Sequence, residues 1–174
     1  MTEIEVKIRV GDVKGAREKI LGLGAVVVRD RHLEKNILYD FASGSLREGQ
    51  RALRLRITGK RAALTFKGEP RKSRSFKVRE EFETQVRDPR QTRMILRALG
   101  LREAFAYEKR RTIFRRARLT ITLDETAAGN FIELEGERHE IVRFAKALGF
   151  RRADFITSGY VELLQKSGGT LGPA

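Results

Sequence analysis

The chain has 174 residues, 40% of them hydrophobic and 34% charged, with 37 Lys and Arg against 23 Asp and Glu for a formal charge of +14. That length suits one domain with a real core, and the charge favours a polyanionic partner: nucleic acid, an anionic membrane surface or a small phosphorylated ligand. The absence of Cys excludes disulfides, thiolate metal sites and Cys nucleophiles.

His32 and His139 stand far apart in sequence, which argues against a His-rich zinc centre or a Ser–His nucleophile. No Gly-x4-Gly-Lys-Ser/Thr run forms a P-loop. Any catalytic metal would be held by carboxylates, which points to Mg²⁺ or Mn²⁺. No apolar run resembles a signal peptide or could span a bilayer, so a cytoplasmic location with no membrane partner is the expectation.

The first ten residues set a pattern that the rest of the chain repeats. Glu3, Glu5, Lys7 and Arg9 alternate with Ile4, Val6, Ile8 and Val10, which predicts a strand over 3–10 with one charged face. Its carboxylates can hold a hard divalent cation, and its cations can hold phosphate oxygens. A helix is predicted over 12–22 and a strand over 36–41. In the strand over 51–58, Arg54 and Arg56 oppose Leu53, Leu55 and Ile57. In the strand over 62–67, Thr65 and Lys67 alternate with Leu64 and Phe66. Lys77, Arg79, Glu81 and Glu83 share one face of a strand over 75–86.

After a helix over 89–99, Lys109 and Arg111 repeat the spacing in a strand over 106–116. Asp124 continues the face of Thr120 and Thr122 in a strand over 118–124. Glu133 and Glu135 oppose Ile132 and Leu134 in a strand over 130–137. Helices over 139–148 and 157–166 follow. The expected organisation is one domain over 1–166 and a disordered tail over 167–174 (SGGTLGPA). A short internal repeat also shows: a helix ending in Leu-Gly precedes a strand carrying Glu34-Lys35, and another precedes one carrying Glu108-Lys109. This suggests two pseudo-symmetric halves, each a helix plus a strand meander.

A solvated sheet face explains any one of these strands. Seven strands with Arg and Glu at two-residue intervals call for more. Closing eight strands into a barrel gathers those groups across a lumen and turns the apolar faces outward under the helices. The predicted fold is therefore α+β: an eight-stranded antiparallel β-barrel, or tunnel, with a charged lumen and flanking helices. Its interior cations are Lys7, Arg9, Arg54, Arg56, Lys67, Arg79, Lys109 and Arg111. Its interior acids are Glu3, Glu5, Glu81, Glu83, Asp124, Glu133 and Glu135. A dry interior so crowded with ions is too costly, so it must hold water, metal and a charged guest.

These blocks resemble the CYTH superfamily, the triphosphate tunnel metalloenzymes. The family's E-x-E-x-K is similar to Glu3-Ile4-Glu5-Val6-Lys7, its L-R-x-R to Leu53-Arg54-Leu55-Arg56, and its lysine strand to Leu64-Thr65-Phe66-Lys67-Gly68. R-x-E-x-E is similar to Arg79-Glu80-Glu81-Phe82-Glu83, and K-x-R to Lys109-Arg110-Arg111. The late acidic block resembles Asp124 through Gly129, Phe131, Glu133 and Glu135. The six blocks stand in family order over residues 3–137. Ser158 to Leu164 resembles the family's S-Y-x-E-L-L ending, although Thr157, Ser158 and Gly159 stand where many members carry a basic residue.

The resemblance implies metal-dependent attack at a triphosphate: a triphosphatase acting on inorganic triphosphate, thiamine triphosphate or a nucleoside triphosphate or, alternatively, a class IV adenylate cyclase. Glu3, Glu5, Glu133 and Glu135 are the expected metal ligands, with Glu81 and Asp124 as secondary ones. Arg54, Arg56 and Arg111 are expected to clamp phosphates, helped by Lys7, Arg9, Lys67, Arg79 and Lys109. A Lys in a cation-crowded lumen should have a lowered pKa, which nominates Lys67 as general base. Glu83 is expected to hold an Arg in place. Arg71, Lys72, Arg74, Arg115, Arg116 and Arg118 read as a solvated basic rim, and His32, His139, Tyr39 and Tyr107 as structural or surface residues.

The partner is then a small triphosphate, with a homodimer left open. A nucleic-acid- or polyphosphate-binding module is the alternative from another class. The strand faces argue against nucleic acid, because they lack stacking aromatics and their paired carboxylates repel a phosphate backbone.

Overall fold

The structure is a computed structural model and describes residues 2–71, 73 and 75–167. Lys72, Arg74 and residues 168–174 of the expected tail lie outside the described residues. The elements in chain order are β1 (Thr2–Val10), α1 (Val13–Gly22), β2 (Val26–Phe41), α2 (Ser45–Glu48), β3 (Ala52–Thr58), β4 (Arg61–Lys67) and β5 (Lys77–Val86). They continue with α3 (Pro89–Ala98), β6 (Leu101–Arg116), β7 (Leu119–Thr126), β8 (Gly129–Glu135) and α4 (Arg138–Ala147). A 3-10 turn (Arg152–Asp154) and α5 (Tyr160–Lys166) complete the set.

The eight strands close into one antiparallel barrel in the order β1-β5-β4-β3-β2-β6-β7-β8. Closure leaves the period-two alternation two destinations only, the lumen and the outside. On one side the outward residues Val6, Ile8, Ile121 and Leu134 are buried beneath Ile20 of α1 and Ile141 and Phe144 of α4. Around the wall, Ile37, Tyr39 and Leu55 pack with Leu46 of α2 and Leu96 of α3. At one end Tyr160, Leu163 and Leu164 of α5 meet Phe105 and Phe131. Phe131 shares the lumen face of Glu133, so α5 stoppers that end of the barrel. Among the described residues no helix is long and apolar enough to cross a membrane.

The internal repeat is real in three dimensions. Each half is β-α-β-β-β, the first with the one-turn α2 added between β2 and β3, and the two sixteen-residue strands β2 and β6 pair with each other. The repeated dipeptides face one another across that seam: Glu34 stands opposite Lys109, and Lys35 opposite Glu108.

Three differences from the sequence reading have local causes. β2 begins at Val26 rather than 36, because register shifts against β6 between Val27 and His32 break the alternation that marks a strand. β6 begins at Leu101 rather than 106, as the partner of that longer β2. The one-turn helix α2 has no local signature. It forms because the Asp40 carboxylate accepts hydrogen bonds from the backbone N–H groups of Leu46 (2.9 Å) and Arg47 (3.0 Å).

Candidate active site

The barrel encloses a cavity of about 1160 Å³. Strand register dictates its lining. Glu5 faces Lys77 on β5 and Glu135 on β8, while Glu3 faces Arg79 and Lys7 faces Glu133. Lys67 faces Glu81, and Arg111 faces Asp124. Most wall cations are therefore bonded to wall acids. Lys67 Nζ lies 2.8 Å from both Glu3 and Glu81. Lys7 Nζ is 2.8 Å from Glu133 and 3.3 Å from Glu5, whose carboxylate also meets Lys77 at 3.2 Å. Arg56 pairs with Glu83 at 2.9 Å. Arg111 binds Glu133 and reaches Asp124 at 2.5 and 2.6 Å.

Asp124 has no exposure at all. Its two oxygens accept from Arg111, from Lys109 at 3.0 Å and from the Tyr160 hydroxyl at 2.5 Å. Tyr160 arrives on α5, and its ring lies under Lys7 (5.0 Å) and Lys109 (4.5 Å). Ile156 places this helix by exchanging backbone hydrogen bonds with Lys7, at 3.0 and 2.8 Å.

Two sequence expectations are corrected. Arg9 is exposed and does not line the cavity: its Nη1 donates to the Ala128 carbonyl at 2.8 Å, and its guanidinium sits 4.7 Å from the Phe131 ring. Lys67 has a raised pKa, not a lowered one. Burial pushes it down, but the surrounding Glu5, Glu3 and Glu81 carboxylates outweigh burial. The lysines held down are Lys77 and Lys109, both at about 8 through burial, with neighbouring cations assisting. Crowding does lower a lysine pKa here; alternation could not tell which lysine.

The other expected residues share the site. Glu3, Glu5, Lys7, Arg54, Arg56, Lys67, Arg79, Glu81, Lys109, Arg111, Glu133 and Glu135 line one cavity, with Asp124 bonded behind them. Sequence reasoning passed over four participants. Lys77 shares the Arg79 face and was within reach of alternation. Tyr107, read as structural or surface, lines the cavity, as does Tyr160. Glu34 is 2% exposed, with Lys109 at 3.8 Å, Arg111 at 4.0 Å and His32 at 3.4 Å. It sits in the stretch whose bulges hid the strand.

Among the described residues no three acids form a ready-made metal cage. The donor chemistry nevertheless fits a hard divalent ion, because Glu3, Glu5, Glu81 and Glu135 supply oxygen ligands only. Their negative charge is also incompletely offset. Glu3 is pushed up to about 8 by burial and by Glu5, with Lys67 opposing and Glu81 adding. Glu5 faces Glu135 directly across the strand pair, an arrangement that repels unless a cation joins it.

The raised Glu3 has a testable consequence. The unfolded side chain ionises near 4.5, whereas the folded one keeps its proton to about 8. Stability therefore falls as pH rises through that window. Glu5 and Glu133 are shifted the other way, their carboxylates favoured by Lys7 despite burial, so their contribution is lost only below about pH 4.5. With EDTA present, Tm should fall between pH 5.5 and 7.5 in the wild type. Glu3→Gln should flatten that slope, and Mg²⁺ should raise the wild-type Tm more at pH 7.5 than at pH 5.5. A wild-type Tm that is flat across this range would remove the case for a strained acid cluster.

The CYTH domain profile matches residues 1–154. The chain belongs to the CYTH domain family. A Methanocaldococcus jannaschii protein named as a candidate adenylate cyclase is 28% identical, covering 94% of this chain and 98% of its own length. A solved structure from Vibrio parahaemolyticus, described as a candidate adenylate cyclase, superposes with a TM-score of 0.85 at 22% identity, over 95% of this chain and 98% of its own. A Hippeastrum protein, described as a candidate adenylyl cyclase with a dominant triphosphatase activity, superposes at 0.66 with 22% identity, over 97% of each chain. CYTH proteins are metal-dependent in general, which agrees with the acid cluster of this CYTH chain.

Proposed function

We propose that this chain is a cytoplasmic triphosphatase that hydrolyses a small triphosphate, inorganic or organic, with Mg²⁺ or Mn²⁺. The observation that carries the reading is a single cavity in which Arg54, Arg56, Lys67, Lys109 and Arg111 face Glu3, Glu5, Glu81 and Glu135. The Hippeastrum relative's triphosphatase activity supports it.

In this reading Arg54, Arg56 and Arg111 grip phosphate oxygens with their guanidinium forks, and Lys67 and Lys109 add point charges. Glu3, Glu5, Glu81 and Glu135 hold the metal, which when bound neutralises phosphate charge and acts as a Lewis acid. Asp124 fixes Lys109, Arg111 and Tyr160 in place. Lys77 is the general base: near pH 8 it exists in both forms, and it can take a proton from a water in the cavity. Lys109 is equally depressed, but it is wedged between the Tyr160 ring and Asp124.

The second reading is class IV adenylate cyclase, in which the ribose 3′ hydroxyl attacks the α-phosphorus of ATP and pyrophosphate leaves. The name of the Methanocaldococcus relative favours it, as does a cavity of about 1160 Å³, roomy enough for a nucleotide. Phosphorus NMR of the protein with inorganic triphosphate and, separately, ATP distinguishes the two, each run with Mg²⁺ and with Mn²⁺. Orthophosphate and pyrophosphate from inorganic triphosphate are expected. Cyclic AMP and pyrophosphate from ATP would move the assignment to cyclase. No turnover of either substrate would sink the cyclase and the inorganic triphosphatase, leaving another organic triphosphate or a binding role.

A further inference from the structure

The charge that points to a polyanion does not reside in the tunnel. Of the 37 Lys and Arg, eleven line the cavity; of the 23 Asp and Glu, nine line it, and Glu34 and Asp124 stand bonded behind them. Eleven cations meet eleven acids, so the site carries no formal surplus. The remaining 26 cations and 12 acids carry the whole surplus of +14.

Four of those outer cations line a groove of about 620 Å³ on the outside of the barrel, bounded by α4, the 3-10 turn and Phe76 just before β5. Its lining includes Arg138, Arg143, Lys146 and Arg152 and holds no acid. Arg138, Val142 and Lys146 are spaced four apart, so they lie along one helix face, and the end cations are about 12 Å apart along the axis. All four cations are exposed. None has an ion-pair partner within 4.0 Å among the described residues, in contrast to the cations inside the tunnel. The nearby Asp154 accepts the Arg151 backbone N–H at 2.7 Å. Arg138 stacks over the Phe76 ring at 5.7 Å, which holds its guanidinium toward the groove.

We propose that this groove binds the phosphodiester backbone of a nucleic acid. Two unpaired cations about 12 Å apart on one helix face, with Arg143 and Arg152 beside them, suit separate phosphates of an extended chain better than one compact triphosphate. Membrane docking needs apolar residues exposed beside the cations. The groove's aromatic, Phe76, is buried, and the exposed Met94 and Ile95 of α3 and Leu99 just after it do not line the groove. The charged strand faces line the tunnel, whereas α4 lies outside the barrel and presents a separate surface.

The test is fluorescence anisotropy of the full chain, in EDTA, with a labelled 20-nucleotide single-stranded RNA and a 20-base-pair DNA duplex from 50 to 300 mM KCl. The wild type should bind at least one of them, with log Kd rising linearly in log salt. Changing Arg138, Arg143, Lys146 and Arg152 together to Gln should weaken binding at least about tenfold at 100 mM and make the salt slope shallower by about 3 to 4. Phosphate release from inorganic triphosphate by that variant should match the wild type. Binding by the variant with an undiminished slope would overturn the proposal. So would binding to anionic phosphatidylglycerol vesicles with neither nucleic acid bound, or no binding to any of the three at 50 mM.

Discussion

Asp124→Asn should lower the free energy of unfolding by about 3–5 kcal/mol. The carboxylate has no exposure and accepts from two cations and a phenol: Arg111 at 2.5 and 2.6 Å, Lys109 at 3.0 Å and Tyr160 at 2.5 Å. An amide fits the same volume, but it removes the negative charge and turns one acceptor into a donor facing donors. The buried Arg111 and Lys109 then keep only Glu133 and the more distant Glu34 as counter-charges. Urea denaturation followed by far-ultraviolet circular dichroism measures the loss. A change below about 1 kcal/mol would show that Asp124 does not tie this network together. The effect should reach α5, because Tyr160 is its anchor in the barrel, so proteolysis between the 3-10 turn and α5 should quicken in the same variant.

Arg54→Gln should do the opposite: lower kcat/KM for the triphosphate roughly 10²–10³-fold and leave stability within about 0.5 kcal/mol. Arg54 lines the cavity but is weakly held. Its Nη2 is 4.0 Å from Glu83 and 3.5 Å from the Thr65 hydroxyl, and its Nε is buried without a hydrogen bond. A guanidinium with unspent donors beside Arg56 is poised for an anionic guest rather than for the wall. Arg54→Lys should recover only part of the loss, because a point charge cannot grip two oxygens. Steady-state phosphate release, read beside the thermal midpoint, checks both halves. A variant with wild-type kcat/KM would remove Arg54 from the phosphate grip.

The two variants separate roles that sequence alone merges. Asp124 and Arg54 both occupy family-like blocks on charged strand faces. One is spent inside the wall and the other is open to the cavity. The same division runs through the site. Glu133 meets Lys7 with one oxygen and Arg111 with the other, whereas Glu135 has no ion pair within 4.0 Å among the described residues and stands opposite Glu5. Metal binding is therefore expected to draw on Glu135 more than on Glu133, an asymmetry that the Glu-x-Glu spacing does not carry.

The sequence by itself determined that there is a barrel and which face of each strand is charged. Period-two alternation is local, and it survives in β1, β3, β4, β5, β7 and β8 because those strands are regular. It failed in the first ten residues of β2, where bulges between Val27 and His32 break the period, and so it missed Glu34. It also failed at α2, whose cap comes from Asp40 on another element.

Only the tertiary structure decided which charge meets which. Alternation says that Lys67 and Lys77 point inward. Register sets Lys67 against Glu3 and Glu81 with Glu5 near, which outweighs burial and raises its pKa, and leaves Lys77 with Glu5 alone, too little to offset the burial and neighbouring cations that lower it. It took the closed barrel to show Arg9 outside the cavity, Tyr160 within it, and the tunnel's cations and acids equal in number. Partner identity, desolvation and net charge within a volume are set by residues distant in sequence, and no local period records them.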